Sequence, residues 1–464
     1  MLGLFLLTLK MLLKRCSAFV TTCVRRMSGA PRRFPVQGGP ITLQQHWCSN
    51  IKLALMQFQG IVSLSGFHAI NWSFLAFLVN TELSRSTGAQ TSFDPELFAQ
   101  ERSRLLSVLP KTQAELPKRT QRDSYAEVVI PLESDVELQN QFVNVYQGIR
   151  TGRLLECLDV FSVYVCFKYA YNEKQNVPSP FSIVTALVDN LTLRPGAFLN
   201  PKKDILLTGF VSWVGRSSME VTMSVLQDDT EKLRSNFVMV ARDPLNRGSA
   251  VINAMSLEND DDRLYFEKGE ANVLKRKASG DESLLKSPPN GEESKLIHEM
   301  FLRSDDFTAD SAPPGANEKF MSEATYKDIT LCHPNHRNRY NKIFGGFVMR
   351  LAYELGWASA TSYCGTRMGA TFIDDILFRR PVEVGSILHL TSVIGYTEGD
   401  SVLVRVRADV EDYKTGKKEL TNTFYFTFKA MDGSTVPSVI PRSYKGYMIY
   451  LDARRHFLKN LASQ

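Results

Sequence analysis

Residues 149–165, IRTGRLLECLDVFSVYV, and residues 343–359, IFGGFVMRLAYELGWAS, decide how this chain folds. Each is an apolar run opened by glycine at the same place, Gly152 in one and Gly346 in the other. In the second run Val348, Leu351 and Leu355 fill one side, while Ala352, Gly356 and Ala358 leave little polar surface elsewhere. A helix that is apolar nearly all round has to be buried, and a sheet curled around it meets that demand. The first run carries a carboxylate, Asp159, near its middle. Burying one costs several kcal/mol unless it is paired or put to use, so Asp159 requires a function or a partner.

Working outward, further segments repeat in the same order, which points to a duplicated unit. VTALVDNLTLRP at 184–195 matches ATFIDDILFRRP at 370–381, with Asp189 set against Asp375 and Pro195 against Pro381. Two alternating runs around a polar turn follow in each copy, at 204–225 and 386–410, and a closing strand pattern ends each, at 237–243 and 424–432. Strand-like runs also open the copies, SYAEVVIPLE at 124–133 and TYKDITLCHP at 325–334. Strand, helix, then about four strands predicts an α+β class, each unit an antiparallel sheet around one long central helix.

The predicted division is an N-terminal targeting segment at 1–35, an extension at 36–118, one unit at 119–256, a second at 321–450 and a tail at 451–464. Residues 257–320 between the units, with ENDDDR, SGDESLLKSPPNGEES and TADSAPPGANEK, read as a partly disordered linker.

Composition narrows the class. The 464 residues, 44% hydrophobic and 22% charged, supply ample core for two or three domains. The formal charge of +6 comes from the N-terminus, where residues 1–81 hold eight Lys/Arg and no acid. Setting those eight aside from 55 leaves 47 basic against 49 acidic residues, which gives no support to a nucleic-acid footprint, so no nucleic-acid partner is expected. An acid-free start with RRMSGAPRRF fits a mitochondrial transit peptide. The apolar stretch 60–79, with His68 and Asn71 inside it, is a weak membrane-span candidate. Seven cysteines form no C-x-x-C pair, so neither a disulfide framework nor a zinc site is implied.

The glycine-opened helix after NKIFGG, in a strand-helix-strands unit occurring twice, resembles the double hot-dog acyl-coenzyme A thioesterases and their mitochondrial members in particular. FSIVTALVD, FVMVARD, IHEMFL and PVEVGS join that resemblance, which runs from about residue 103 to about residue 457. It implies hydrolysis of fatty acyl-CoA, no metal and no cofactor, a homo-oligomer such as a trimer, and a place in the mitochondrial matrix or at the inner membrane. It also implies that Asp159, two turns into its helix, activates water at the interface of the two units. Tyr353 stands at the matching position of the second copy.

Thioester hydrolysis needs a general base and donors for the oxyanion. There is no G-x-S-x-G elbow and no Cys/His pair at a suggestive spacing. Helix N-termini opened by Gly345 and Gly346, and by Gly152, offer unpaired N–H groups for a carbonyl. In the loop HPNHRNRYNKIFGG at 333–346, Asn338 or Asn341 would orient the water or the thioester oxygen. Arg337, Arg339, Lys342, Arg379 and Arg380 are candidates for the phosphates of coenzyme A. Glu156 and Glu354 read as structural, and His333 and His336 as loop residues. Two other functions share these features: a hot-dog enoyl-CoA hydratase, to which HPNHRN is loosely similar, and a non-catalytic acyl-CoA binding scaffold.

Overall fold

In the computed structural model the described residues are 103, 105–107, 109–170, 181–189, 191–192, 199–279, 284, 287–304, 315, 317–338 and 342–462. The targeting segment, the apolar stretch 60–79 and most of the N-terminal extension lie outside them. No helix among the described residues is long and apolar enough to cross a membrane.

The first unit runs α1 (Gln121–Ser124), β1 (Ala126–Ile130), α2 (Val136–Phe142), α3 (Thr151–Tyr169), β2 (Ser182–Val188), β3 (Leu191–Thr192), β4 (Ile205–Val214), β5 (Ser218–Gln227) and β6 (Thr230–Arg242). Helices α4 (Asp260–Ser279) and α5 (Gly291–Ser304) follow. The second unit runs β7 (Glu318–Phe320), β8 (Thr325–Leu331), α6 (Gly345–Cys364), β9 (Met368–Ile373), β10 (Ile376–Leu377), β11 (Ile387–Glu398), β12 (Ser401–Glu411), β13 (Lys418–Ala430), β14 (Ser438–Ile440) and α7 (Tyr444–Leu461).

Two antiparallel sheets result, in the orders β1-β4-β5-β6-β2-β10 and β3-β9-β13-β12-β11-β8. Each is the same five-strand arrangement, a three-strand meander flanked by β1 and β2 in one and by β8 and β9 in the other, plus one short strand from the other unit. Ile376 and Leu377 of β10 pair with Val188 and Leu187 of β2, while Leu191 and Thr192 of β3 pair with Ile373 and Phe372 of β9. The exchange stitches the two sheets together at one seam. Long helix α3 buries Leu154, Leu158, Phe161 and Val165, and α6 buries Val348, Met349 and Ala352, all within one hydrophobic core. The α+β arrangement of sheet around helix read from the repeat is therefore present twice, as the resemblance to tandem hot-dog proteins implies.

Helices α3 and α6 meet through their opening glycines. A Cβ on Gly152 would lie 3.2 Å from the Arg350 side chain, and one on Gly346 would lie 3.0 Å from both Glu156 Cα and Asp159 Cβ. Absence of a side chain at both places is what lets the helices approach so closely.

Three expectations change. Residues 257–320 were read as linker, yet they contain α4 and α5. Helix α4 packs on β4, with Gly269 against Trp213 and Tyr265 edge-on to Phe210. The boundary at 450/451 falls inside α7, which covers β11, so the helix belongs to the second unit. The repeat alignment also shifts by one at the crossover. The Asp189 N–H donates to Asn236 O and the Asp374 N–H donates to Tyr425 O, so Asp374, not Asp375, is the counterpart of Asp189. An ungapped match of the two segments does not show this, because sheet register is fixed by backbone pairing and not by the proline beyond it.

Candidate active site

Asp159 projects from the middle of α3 toward the first turn of α6 and is 1% exposed. Its Oδ2 accepts the backbone N–H of Gly346 at 2.6 Å, and its Oδ1 accepts the Thr185 hydroxyl of β2 at 2.5 Å. Among the described residues no cation pairs with it: Arg150 pairs with Glu354 at 2.7 Å and Arg153 with Glu156 at 2.6 Å. Arg350 completes that network at 3.0 Å from Glu156, which gives Glu156 and Glu354 the structural role expected of them. Burial pushes the Asp159 carboxyl from 3.8 up to about 6, with the Thr185 and Gly346 donors drawing it back and Glu156 adding to the rise. A carboxylate so placed is ionised at neutral pH but still basic, the condition for general-base work.

Gly345 opens α6 beside this carboxylate. A Cβ there would sit 3.2 Å from the Phe378 ring and 3.3 Å from Asp159 Oδ2. Phe378 follows the exchanged strand β10, and its N–H donates to Ala186 O at 2.9 Å, next to Thr185. Thus Asp159 and Thr185 come from the first unit, and Gly345, Gly346 and Phe378 come from the second. The Gly346 N–H, expected to face a thioester carbonyl, is instead taken up by Asp159. Among the described residues nothing accepts the Gly345 N–H, the first of the helix and the most favoured by its dipole.

The remaining candidates are placed as follows. Asn338 Oδ1 accepts the Lys342 N–H at 3.2 Å and closes the loop before α6. Asn144 does the same before α3, accepting the Gly148 N–H at 3.0 Å, so turn chemistry is common to both copies. Asn341 and Arg339 lie outside the described residues. Lys342 pairs with Glu383, and Arg380 with Glu419, both at the surface. The Arg337 N–H donates to Pro334 O at 3.2 Å within the loop, and Arg379 is exposed. His336 stacks on Phe347 at 3.9 Å, and burial lowers its affinity for a proton. Among the described residues no group of His, Cys, Asp and Glu side chains is arranged to hold a metal.

The second copy lacks the same constellation. Tyr353, buried, occupies the position of Asp159, hydrogen-bonds the Thr151 side chain and packs edge-on to Phe426 at 5.5 Å. Thr151 stands where the other helix has Gly345, and Gly152 faces Arg350 and Glu354. Ala370, opposite Phe428 as Thr185 is opposite Met239, carries no hydroxyl.

Thr185 was not singled out by the sequence, since threonine inside VTALV is an ordinary strand residue. The signal was indirect: a buried aspartate needs donors, and β2 is the strand that runs past α3.

Residues 340–417 match the model of the thioesterase superfamily. The chain is 43% identical over 390 residues to mitochondrial acyl-coenzyme A thioesterase 9 of Mus musculus, covering 82% of this chain and 88% of that one. With the Homo sapiens thioesterase 9 it shares 42% over 82% and 87%. Among solved structures, an acyl-CoA hydrolase from Staphylococcus aureus, bound to butyryl coenzyme A, coenzyme A and coenzyme A disulfide, is 25% identical; it covers 32% of this chain and 92% of that one, with a TM-score of 0.30. The identity of 42–43% to the mitochondrial thioesterases, over 82% of this chain and 87–88% of theirs, means that the chain belongs to the mitochondrial acyl-coenzyme A thioesterase family and is an acyl-CoA thioester hydrolase.

Proposed function

We propose that the protein hydrolyses fatty acyl-CoA to fatty acid and coenzyme A at one site per chain, at the seam of the two hot-dog units. The observation carrying this reading is the buried Asp159 carboxylate, which has no cation partner among the described residues and lies against the N-terminus of the other unit's helix. Asp159 takes a proton from water as the water oxygen attacks the thioester carbonyl carbon. The Gly345 N–H, aided by the helix dipole, receives the developing oxyanion. Collapse of the tetrahedral intermediate breaks the C–S bond, and protonated Asp159 returns its proton to the coenzyme A thiolate. Gly346 and Thr185 hold the base in place rather than touching substrate. Either Asn338 or Asn341 orients the water. Arg337, Lys342 and Arg380 are proposed to meet coenzyme A phosphates, Lys342 and Arg380 by exchanging surface glutamates in pairs that are individually weak.

The protein acts in mitochondria, as its relatives' names state for them, and we place it in the matrix. Exposed Ile329 and Leu331 on the edge strand β8 support self-association, for which a trimer is proposed and light scattering is the check. The test of the chemistry follows free thiol release from acetyl-, decanoyl- and palmitoyl-CoA by the full chain and by Asp159→Asn. A folded variant slowed at least ~100-fold in kcat is expected for a lost general base. Equal activity of the two proteins overturns the role of Asp159. Binding without turnover by the parent returns the scaffold reading, and hydration of a 2-enoyl-CoA without thiol release returns the hydratase.

A further inference from the structure

Asp374 begins the crossover that carries β10 into the first sheet. Its side chain is fully buried, and it hydrogen-bonds Nδ1 of His456 on α7. The other end of the same short crossover is Phe378, packed against Gly345 and bonded to the strand that carries Thr185. Between these ends, Asn422 donates to Leu377 O at 2.9 Å. A shift at Asp374 therefore has little freedom to dissipate before it reaches the site.

The first unit builds the same joint differently. Asp189, counterpart of Asp374, is gripped by Arg276 of α4 at 2.9 and 3.2 Å, and Arg276 also holds Glu220 at 3.0 Å. In both units a helix laid outside the sheet sets a basic side chain on the aspartate at the root of the exchanged strand. Arginine keeps its charge at every relevant pH, whereas histidine does not.

We propose that His456 and Asp374 form a positioning pair for the thioesterase reaction, in which protonated His456 fixes the crossover so that Phe378 and Gly345 keep the geometry required for attack. This rests on the site assigned above to Asp159 and Gly345. Among the described residues, charged and titratable groups face the imidazole from the crossover, from β13 and from α7 itself. From the crossover come Asp374 and Asp375, the latter 3.1 Å from Lys459. Tyr425 of β13 stacks on the ring at 3.9 Å and hydrogen-bonds Asp452, to which Arg405 of β12 comes within 3.9 Å. Asp452 and Lys459 share α7 with His456. Burial by itself disfavours the imidazolium, but Asp374 and Asp452 together outweigh it and raise its affinity for the proton, while the His456 hydrogen bond and charge hold the Asp374 carboxyl below the ordinary range.

The test measures kcat and KM for decanoyl-CoA from pH 5.5 to 9 with the full chain, His456→Arg, His456→Gln and Asp374→Asn. The parent is expected to rise through the Asp159 ionisation and to fall on the alkaline side as His456 loses its proton. His456→Arg, the substitution that copies the first unit, removes the alkaline fall and leaves the acid limb. His456→Gln and Asp374→Asn lower kcat about tenfold at pH 7 with KM little changed, as expected for a small misplacement of reacting groups. Lack of an alkaline fall in the parent, the same fall in His456→Arg, or full kcat in a folded His456→Gln each overturn the proposal. If glutamine or asparagine prevents folding, the arginine variant alone still decides it. Failure of the Asp159 reading shows separately, as a missing acid limb or an active Asp159→Asn.

Discussion

At the scale of single residues, Asp159 exacts a cost that activity makes worthwhile. Its carboxyl is raised from 3.8 to about 6, so the folded state binds its proton more tightly than the unfolded chain does. Below both values this group does not change stability; as pH rises through about 6 the full cost appears, roughly 3 kcal/mol for two units. Asp159→Asn is therefore expected to melt higher than the parent at pH 7.5, with the difference shrinking toward pH 4.5, while kcat is lost. Thermal unfolding at the two pH values checks it, and a variant less stable at pH 7.5 contradicts it. Thr185→Val removes a donor that holds the carboxyl down, so the acid limb of its kcat/KM profile moves to higher pH. Asp159 was legible in the sequence because a charge inside an apolar helix conflicts with burial. Thr185, Asp374 and His456 were not, since each acquires its role from a contact that only the folded chain brings about.

Among the elements, the two central helices were the most legible, being apolar nearly all round and opened by glycine. Helix α4 was not: its acidic first turn, its Gly269 and its many charges read as a solvated segment, and it is held by Trp213 and by the Arg276 ion pairs instead of by its own periodicity. The opening glycines of α6 are expected to separate two effects. Gly346→Ala places a Cβ 3.0 Å from the Glu156 backbone, and its helix cannot yield without displacing α3. A loss of about 1–3 kcal/mol in stability is expected, with activity lost alongside. Gly345→Ala meets mainly the Phe378 ring at 3.2 Å, so it should keep most of its stability and lose kcat where the carbonyl would approach. Urea unfolding and steady-state kinetics on the two variants give the comparison; equal destabilisation argues against the assignment.

At the level of the whole molecule, the duplication was readable from ordered segments, but the strand exchange was not. Strands of two residues, β3 and β10, carry no pattern. Because the site draws Asp159 from one unit and Gly345 from the other, a chain split between Ser279 and Asn290 should yield two halves that are each inactive. Co-expression is expected to restore thiol release, and activity in the first half alone would refute the shared site. The exchange also imposes an order on the birth of the protein. Strand β2 leaves the ribosome early, yet the segment that closes its open side, Ile376–Leu377, is made nearly two hundred residues later. For that interval the nascent first half carries a bare sheet edge, the kind of surface that invites pairing with other chains. A premature stop between Val188 and Ile376 would make the exposure permanent, so such truncated products should be lost to aggregation rather than persist as half-enzymes.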